Sequence, residues 1–190
     1  MDWDRRYLEG NTPWDKGAAH PVLATALARN ALGGRVLVPG CGTGHDVRAL
    51  AARGLEVTGL DISPRAVTAA RSHPAAGREQ YLTGDLFALP AAFGNSFDGV
   101  FEHTCFCAID PALRRDYVKS VASVLKPGAR LLGVFFLDPG HDGDGPPFGC
   151  TPAEIDRLFS PHFHLLEECA EIPTFPEREG RELLRLFGRV

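Results

Sequence analysis

The sequence predicts an α/β fold built on a seven-stranded, mostly parallel sheet, with helices on both faces and an antiparallel last strand. Three observations support this prediction. Short β-branched and aliphatic runs, typical of buried parallel strands, alternate with segments that have helical apolar spacing. A glycine-rich turn joins the first such strand to the helix after it. The alternation then gives way to two consecutive strands, which favours an antiparallel last strand.

The first predicted strand and its glycine turn form the most informative stretch of the chain. Strand residues 35–38 are followed by glycines at alternate positions over 40–44, and apolar residues over 47–51 have the spacing of a helix face. Glycine allows close backbone approach and positive φ, and free N–H groups at a helix start can receive an anionic group. This stretch therefore predicts a cofactor-binding loop.

The register of these glycines distinguishes between cofactors. A dinucleotide site carries G-x-G-x-x-G, whereas this chain reads G-x-G-x-G and continues with His45. That spacing is typical of S-adenosylmethionine (SAM) methyltransferases. Asp61 ends the second predicted strand about 20 residues beyond the first glycine, where a carboxylate can accept both ribose hydroxyls. The alternative is a glycine turn kept for packing and a surface aspartate at a strand end.

The other predicted elements continue the alternation. Ser63 can cap a helix that begins at Pro64, and Thr151 opens a capping box for a short late helix. The remaining predicted segments are a helix at 21–31, strands at 55–61, 79–83, 97–101 and 130–138, a helix at 111–125, and closing strands at 163–172 and 182–190.

Composition and charge narrow the class of protein. A length of 190 residues suits one domain spanning residues 1–190. The net charge of −4 gives no basic surface for nucleic acid, and no apolar run has the length of a membrane helix. Five cysteines without framework spacing, and a start without the apolar core of a signal peptide, predict a cytoplasmic protein.

Residues 1–16 combine large aromatic side chains with many charged ones. Trp3 and Tyr7 share a face if the segment is helical, and Trp14 lies in a stretch with the composition of a turn. Two interpretations stand side by side. The segment is either a loose terminus with docked aromatics or a lid whose rings cover the adenine or the sulfonium of the cofactor.

Further candidates follow the third and fourth predicted strands, at the sheet edge where open α/β folds bind ligands. Asp85 can accept from the exocyclic amine of adenine, or simply belong to a solvated turn. Glu102 and His103 are candidates for a general base, although no motif marks either one as such. The alternative is that both side chains only form part of the cavity wall. Cys105 and Cys107 are expected to share a strand-end face, without the C-x-x-C spacing of a zinc or redox pair.

No metal site is expected from the sequence. His162 and His164 share a strand face, but no carboxylate or cysteine completes a ligand set. Residues 138–144 resemble a calcium loop only faintly, because the alternating acids and the terminal glutamate are absent. The glycine- and proline-rich stretch 139–150 is better interpreted as a mobile substrate loop.

Taken together, these motifs resemble the thiopurine methyltransferase superfamily and, within it, the halide/thiol methyltransferase branch. Pro39 and the residue before it are informative, because most SAM enzymes carry an acid just before the glycine loop. The matching segments, from residue 12 to residue 148, are TPWDKG at 12–17, VPGCGTGHD at 38–46, GLDIS at 59–63, DLF at 85–87, FCAI at 106–109, LKPG at 125–128 and GPPF at 145–148.

The resemblance implies a Rossmann-like fold, SAM as the cofactor and S-adenosylhomocysteine (SAH) as its product. The methyl acceptor it implies is a small soft nucleophile: a thiol, hydrosulfide, a thiopurine or a halide. Tyr7 stands where plant members carry a tryptophan, and His103 replaces a tyrosine. The expected partner is this acceptor, with no nucleic acid and no membrane, and the expected state is a monomer. The implied cofactor contacts are Trp3, Tyr7, Trp14, Gly40, Asp61, Asp85, Leu86 and His103.

The implied reaction is in-line displacement of a methyl group from a sulfonium, which releases a neutral leaving group. A thiol is partly ionised near neutral pH and a halide needs no base, so alignment and exclusion of water can supply most of the catalysis. Other readings remain open: a small-molecule N- or O-methyltransferase and a catalytically silent SAM-binding module. A nicotinamide oxidoreductase would share Asp61 but requires the absent G-x-G-x-x-G.

Overall fold

The computed structural model describes residues 1–140 and 145–190, and its strands form one mixed sheet. The strands are β1 (Arg35–Pro39), β2 (Glu56–Asp61), β3 (Arg78–Thr83), β4 (Phe97–His103), β5 (Leu125–Phe136), β6 (Phe163–Cys169) and β7 (Glu182–Arg189). Their order is β3-β2-β1-β4-β5-β7-β6. The neighbouring strands from β3 to β5 pair in parallel, and β7 runs antiparallel to both β5 and β6. The predicted sheet is confirmed.

Helices cover both faces of this sheet, as predicted. The α-helices of the described residues are α1 (Trp3–Leu8), α2 (Val22–Ala28), α3 (His45–Ala51), α4 (Pro64–Ser72), α5 (Arg114–Val124) and α6 (Pro152–Phe159). Successive side chains of a strand point to opposite faces. Val36 and Val38 accordingly belong to one core cluster, with α2, α3 and α4, whereas Leu37 belongs to a second cluster with α5 and α6.

Two predicted helix caps are present in the structure. The Ser63 hydroxyl accepts from the Ala66 N–H at 3.1 Å at the start of α4. The Thr151 hydroxyl accepts from the Glu154 N–H at 3.1 Å at the start of α6. In both helices a proline occupies the first turn, where its missing N–H costs nothing. Local sequence therefore sets these two boundaries.

The chain between β4 and β5 differs from the prediction in two places. A short 3₁₀ turn, Pro111–Leu113, precedes α5, and β5 begins at Leu125 rather than at Arg130. Leu125 is fully buried and pairs with Phe97, and an irregularity of register follows where Pro127 interrupts the ladder. The helix therefore ends one residue before this strand begins.

The predicted shared strand-end face of Cys105 and Cys107 is wrong. β4 continues to His103, and Thr104 then turns the chain with a φ of 65°. Cys107 consequently lies in a 3₁₀ turn, Phe106–Ala108, rather than on an extended strand. Of the predicted loop 139–150, residues 141–144, with two acids of the calcium-like pattern, lie outside the described residues. None of the described helices has the length and apolar character needed to cross a membrane.

Candidate active site

A cavity of about 400 Å³ lies at the carboxyl ends of the four neighbouring strands β1 to β4. This is the edge at which open α/β sheets bind ligands. The N-terminal segment and the turn that precedes β7 also contribute residues to its lining. The predicted cofactor contacts that line it are Trp3, Tyr7, Trp14, Gly40, Asp61, Asp85 and Leu86.

The glycine loop forms one wall of the cavity. Gly40, Gly42 and Gly44 all have positive φ, of 59°, 54° and 80°. A Cβ at Gly40 would come within 3.0 Å of the Cys105 side chain, so only glycine fits there without displacement. Gly44 lies immediately before α3, which leaves the first N–H groups of that helix near the loop.

Asp61 links this loop to the chain after β2. Its Oδ2 accepts from the Gly42 N–H at 2.8 Å and its Oδ1 from the Ser63 N–H at 2.9 Å. Burial raises the pKa of Asp61, and these backbone hydrogen bonds oppose that rise. Since each carboxylate oxygen has two lone pairs, both oxygens can still accept from a ligand hydroxyl.

Asp85 lies on the opposite wall, after β3. Its carboxylate accepts from the Phe87 N–H at 2.8 Å and caps the 3₁₀ turn Leu86–Ala88. This bond fixes the turn and places the buried Leu86 and the half-exposed Phe87 along the cavity. Asp85 therefore shapes this wall in addition to facing the cavity.

The N-terminal segment contributes a cluster of aromatic rings. Trp14 meets Trp3 edge-on with centroids 5.3 Å apart, and meets Tyr7 in the same manner at 5.9 Å. The Trp14 indole N–H donates to the Tyr7 hydroxyl at 3.3 Å. The Arg6 guanidinium lies 5.1 Å from the Trp14 ring. Trp14, whose contacts the sequence spacing did not predict, thus joins the rings of Trp3 and Tyr7 in one aromatic cluster that lines the cavity.

Polar contacts anchor this segment to the glycine loop and to the start of α4. The Asp4 carboxylate accepts from the Ser63 hydroxyl at 2.7 Å and from the Arg65 N–H at 3.0 Å, at the start of α4. The Asp15 carboxylate accepts from the Thr43 hydroxyl of the glycine loop at 2.7 Å. The segment is therefore docked near both of its ends.

The cavity is also lined by basic and apolar side chains, none of which the sequence analysis predicted as a cofactor contact. Lys16, Arg178 and Arg181 supply positive charge, and Lys16 forms an ion pair of 2.7 Å with Glu177. The apolar part of this wall consists of Cys107, Ile109, Phe136, Pro146 and Pro147. Several of these residues lie in the motifs TPWDKG, FCAI and GPPF, which carry the family resemblance, whereas no motif marks Phe136, Arg178 or Arg181. The one usable signal for the two arginines was the run of charged residues just before the last apolar strand.

Glu102 lies outside the residues that line the cavity. It is 1% exposed, and its carboxylate accepts from the N–H groups of Cys105 and Phe106 at 3.0 and 2.7 Å and from the Tyr117 hydroxyl. Burial raises the pKa of Glu102 to about 7. The carboxyl group therefore holds the turn that carries Cys105.

His103 also lies behind the cavity wall rather than on it. It is 9% exposed. Its Nδ1 lies 2.8 Å from Asp46 Oδ2, and its Nε2 lies 3.4 Å from Arg178 Nη1. Both ring nitrogens therefore already have partners within the protein.

A buried group of possible metal ligands surrounds this histidine. The ligand atoms of His20, His103 and Glu182 lie within 4.8 Å of one another. The Arg178 guanidinium lies among them, 3.0 Å from Glu182 Oε1. A cation thus already balances the carboxylate, and the geometry suits this guanidinium better than a metal ion.

The cysteines near the cavity are not activated nucleophiles. All five cysteines are free thiols. Burial raises the pKa of Cys41, of Cys105 and of Cys107, the last to about 12. A thiol with a raised pKa stays protonated and reacts slowly near neutral pH.

The fold, the glycine register and the cavity together define the class as a Rossmann-like SAM-dependent methyltransferase. Residues 1–182 match the family model described as thiopurine S-methyltransferase, and the chain belongs to that family. The family and the cofactor predicted from the sequence are confirmed.

Named relatives and a solved structure agree with this assignment. A probable thiol methyltransferase 2 of Arabidopsis thaliana is 37% identical over 164 residues, which cover 84% of this chain and 71% of the relative. A thiocyanate methyltransferase 1 of Brassica oleracea is 35% identical over 194 residues, covering 99% and 84%. A 1,6-didemethyltoxoflavin-N1-methyltransferase of Burkholderia thailandensis, solved with SAH, has the same fold, with a TM-score of 0.76 at 22% identity over 99% of this chain and 85% of that one.

Proposed function

We propose that this protein transfers the methyl group of SAM to a small soft nucleophile: a thiol, hydrosulfide, a thiopurine or a halide. The observation that carries the proposal is the composition of one cavity. Its first half offers a glycine loop, aromatic rings and Asp61, and its second half offers basic and apolar side chains. Relatives named for thiol and thiocyanate methylation support a sulfur acceptor.

The first half suits the parts of SAM. The two oxygens of Asp61 would accept from the ribose hydroxyls, and Asp85 with Leu86 would border the adenine. The open backbone at Gly40 would allow the cofactor to pack against the loop. The rings of Trp3, Tyr7 and Trp14 would cover the sulfonium, whose charge an aromatic face attracts. His103 would not contact the cofactor, because it lies behind the cavity wall, where it neighbours Asp46 and Arg178.

The second half suits an acceptor that arrives already nucleophilic. Lys16, Arg178 and Arg181 favour an anion such as a thiolate, hydrosulfide or a halide. No histidine of the described residues lines the cavity, and Glu102 lies behind it. The chemistry then depends on in-line alignment of the acceptor with the methyl group and on exclusion of water by the docked N-terminal segment.

The cellular setting and the oligomeric state remain predictions. Five free thiols suit a reducing compartment such as the cytoplasm. A monomer is the expected state, and the expected partner is the acceptor alone, without nucleic acid.

A matched acceptor panel tests the proposal. Thiophenol, phenol and aniline have the same ring and differ in the nucleophilic atom, which is sulfur, oxygen or nitrogen. Iodide and hydrosulfide are included as the smallest soft acceptors. With SAM labelled in its methyl group, we expect label in the thiophenol, iodide or hydrosulfide products and little with phenol or aniline. Turnover confined to phenol or aniline would instead establish an O- or N-methyltransferase. Absence of transfer to every acceptor would leave a SAM-binding module and contradict the proposal.

A further inference from the structure

We propose that His20, Asp46, His103, Arg178 and Glu182 form a positioning network that holds the Arg178 guanidinium at the acceptor half of the cavity. The inference rests on the proposed function, because it assigns these buried residues to acceptor binding rather than to proton transfer. His103 and Glu182 are then positioning residues, and Arg178 is the group that meets the acceptor.

Arg178 is held tightly although it borders a cavity. Its residue is 6% exposed, and its Nη1 donates to Glu182 Oε1 at 3.0 Å while lying 3.4 Å from His103 Nε2. The guanidinium carbon lies 5.0 Å from the centroid of the Phe136 ring. Among the described residues, the side-chain hydrogen bonds of Arg178 use Nη1 alone. Its other N–H groups are therefore available to an acceptor.

The two histidines are fixed in complementary tautomers by their neighbours. His103 Nδ1 faces the Asp46 carboxylate at 2.8 Å and so carries the proton, which leaves the Nε2 lone pair for Arg178. His20 Nδ1 accepts from the Val22 N–H at 3.2 Å, so its Nε2–H donates to Glu182 Oε2 at 2.9 Å. Neither ring has a free lone pair with which to take a proton from an acceptor.

The charges of the network keep its members in place. Burial alone would raise the pKa of Glu182, but hydrogen bonds from His20 and Thr174 and the adjacent Arg178 hold that pKa at about 2. Burial also lowers the pKa of His20, which favours the neutral imidazole. An ionised glutamate beside a buried guanidinium stabilises one position of it, because removing either partner leaves an unpaired buried charge.

The network also joins the acceptor wall to the cofactor loop. Asp46 lies in the first turn of α3, directly after the glycine loop, and its Oδ1 accepts from the His20 N–H at 2.7 Å. Arg178 and Glu182 come from the turn before β7 and from its first residue. These contacts therefore fix the position of the guanidinium relative to the glycine loop. In-line transfer requires such a fixed geometry between the acceptor and the cofactor.

The test compares Glu182→Gln with a matched control. Glu182→Gln keeps the shape but removes the charge beside Arg178, so we expect the KM for thiophenol or hydrosulfide to rise about tenfold, as loss of one charged contact predicts. The Kd for SAM, measured by calorimetry, should stay within about twofold of the parent value. Glu168→Gln is the control, because it removes a carboxylate from another buried arginine, Arg185, and neither residue lines the cavity. It should change neither value.

Further measurements distinguish a failure of the proposed network from a failure of the proposed function and from simple misfolding of a variant. Arg178→Lys keeps the charge but not the planar fork, and it should raise the acceptor KM in the same way. Nitrogen NMR of the parent should find the proton of His103 on Nδ1 and that of His20 on Nε2. Parental transfer with an unchanged acceptor KM in Glu182→Gln, or the opposite tautomers, would overturn the network. Failure of the parent to methylate any soft nucleophile would overturn the proposed function instead.

Discussion

Asp61 joins the glycine loop to the start of α4 through one hydrogen bond at each carboxylate oxygen, from Gly42 and from Ser63. We expect Asp61→Ala to weaken SAM binding by roughly 1.5–3 kcal/mol, because charge-assisted bonds to the ribose are lost. Calorimetry measures this change. Asp116→Ala, which removes an exposed carboxylate paired with Lys119 on α5, is the control. Unchanged SAM affinity in the Asp61 variant would contradict this role.

Glu102 should make stability depend on pH near neutrality. Its pKa is about 7 in the folded protein against 4.5 for the ordinary group, because burial disfavours the carboxylate. Since the folded pKa is the higher one, the contribution of Glu102 is fully present below about pH 4.5 and is lost as the pH rises through about 7.

We therefore expect the free energy of unfolding in urea to fall between about pH 4.5 and pH 7, by an amount on the order of 1–3 kcal/mol, and to level off at higher pH. Glu102→Gln cannot ionise and should remove this part of the slope. Equal slopes for parent and variant would show that Glu102 does not titrate in this range.

The sequence correctly predicted that some of these side chains line the cavity, but the prediction was wrong for others, for a physical reason. Asp61 ends the parallel strand β2 and Asp85 follows β3, and the ends of such strands meet at one edge of the sheet, so the placement of both residues on the cavity follows from the fold. Glu102 and His103 also end a strand, but their partners come from elsewhere in the chain. Tyr117 and Asp46 bind their polar atoms and keep both behind the wall. No local pattern encodes such partners.

At the scale of elements, helix α1 carries the aromatic surface of the segment predicted to be a lid. Trp3 and Tyr7 lie on one face of this helix and meet Trp14, while Leu8 points away and is 62% exposed. We expect Trp3→Ala and Trp14→Ala each to weaken SAM binding by about 1–2 kcal/mol, the contribution of an aromatic face over a cation. Leu8→Ala, on the same helix, should leave the affinity unchanged.

Fluorescence provides a second measurement of closure. The chain has two tryptophans, and both lie in this segment, so any change in tryptophan emission on adding SAM reports on it alone. The change should diminish in each tryptophan variant. A chain lacking residues 1–14 that retains parental affinity and turnover would show that the segment is an ordinary terminus.

The boundaries of elements were predictable where local chemistry sets them. Ser63 and Thr151 begin their helices as capping residues, because a side-chain oxygen satisfies an N–H group that the helix leaves free. The start of β5 was misplaced by five residues, from Arg130 to Leu125, since pairing with Phe97 extends the strand across Pro127. That pairing depends on tertiary contact rather than on propensity.

At the scale of the whole molecule, the antiparallel last strand explains why the cavity wall proposed to bind the acceptor contains Arg178. β6 runs in the same direction as β5, and β7 returns. The connection between them therefore lies at the carboxyl edge, beside the cavity, and delivers Arg178 to it. The sequence predicted this strand direction, but the role of the connection required the contacts of Arg178 with residues distant in the chain.

Cofactor binding should stabilise the whole molecule, because the cavity takes its walls from the N-terminal segment, four strand ends and the turn before β7. That assembly exists only in the folded chain. A ligand specific to it adds about 2.7 kcal/mol at a concentration of 100 times its Kd. We expect SAH to raise the Tm in a concentration-dependent manner and NAD to leave it unchanged, because the loop reads G-x-G-x-G and carries His45 at the position where a pyrophosphate site has its third glycine. Asp61→Ala should shift the SAH response to higher concentration. A comparable rise of Tm with NAD would contradict the assignment of this loop to SAM.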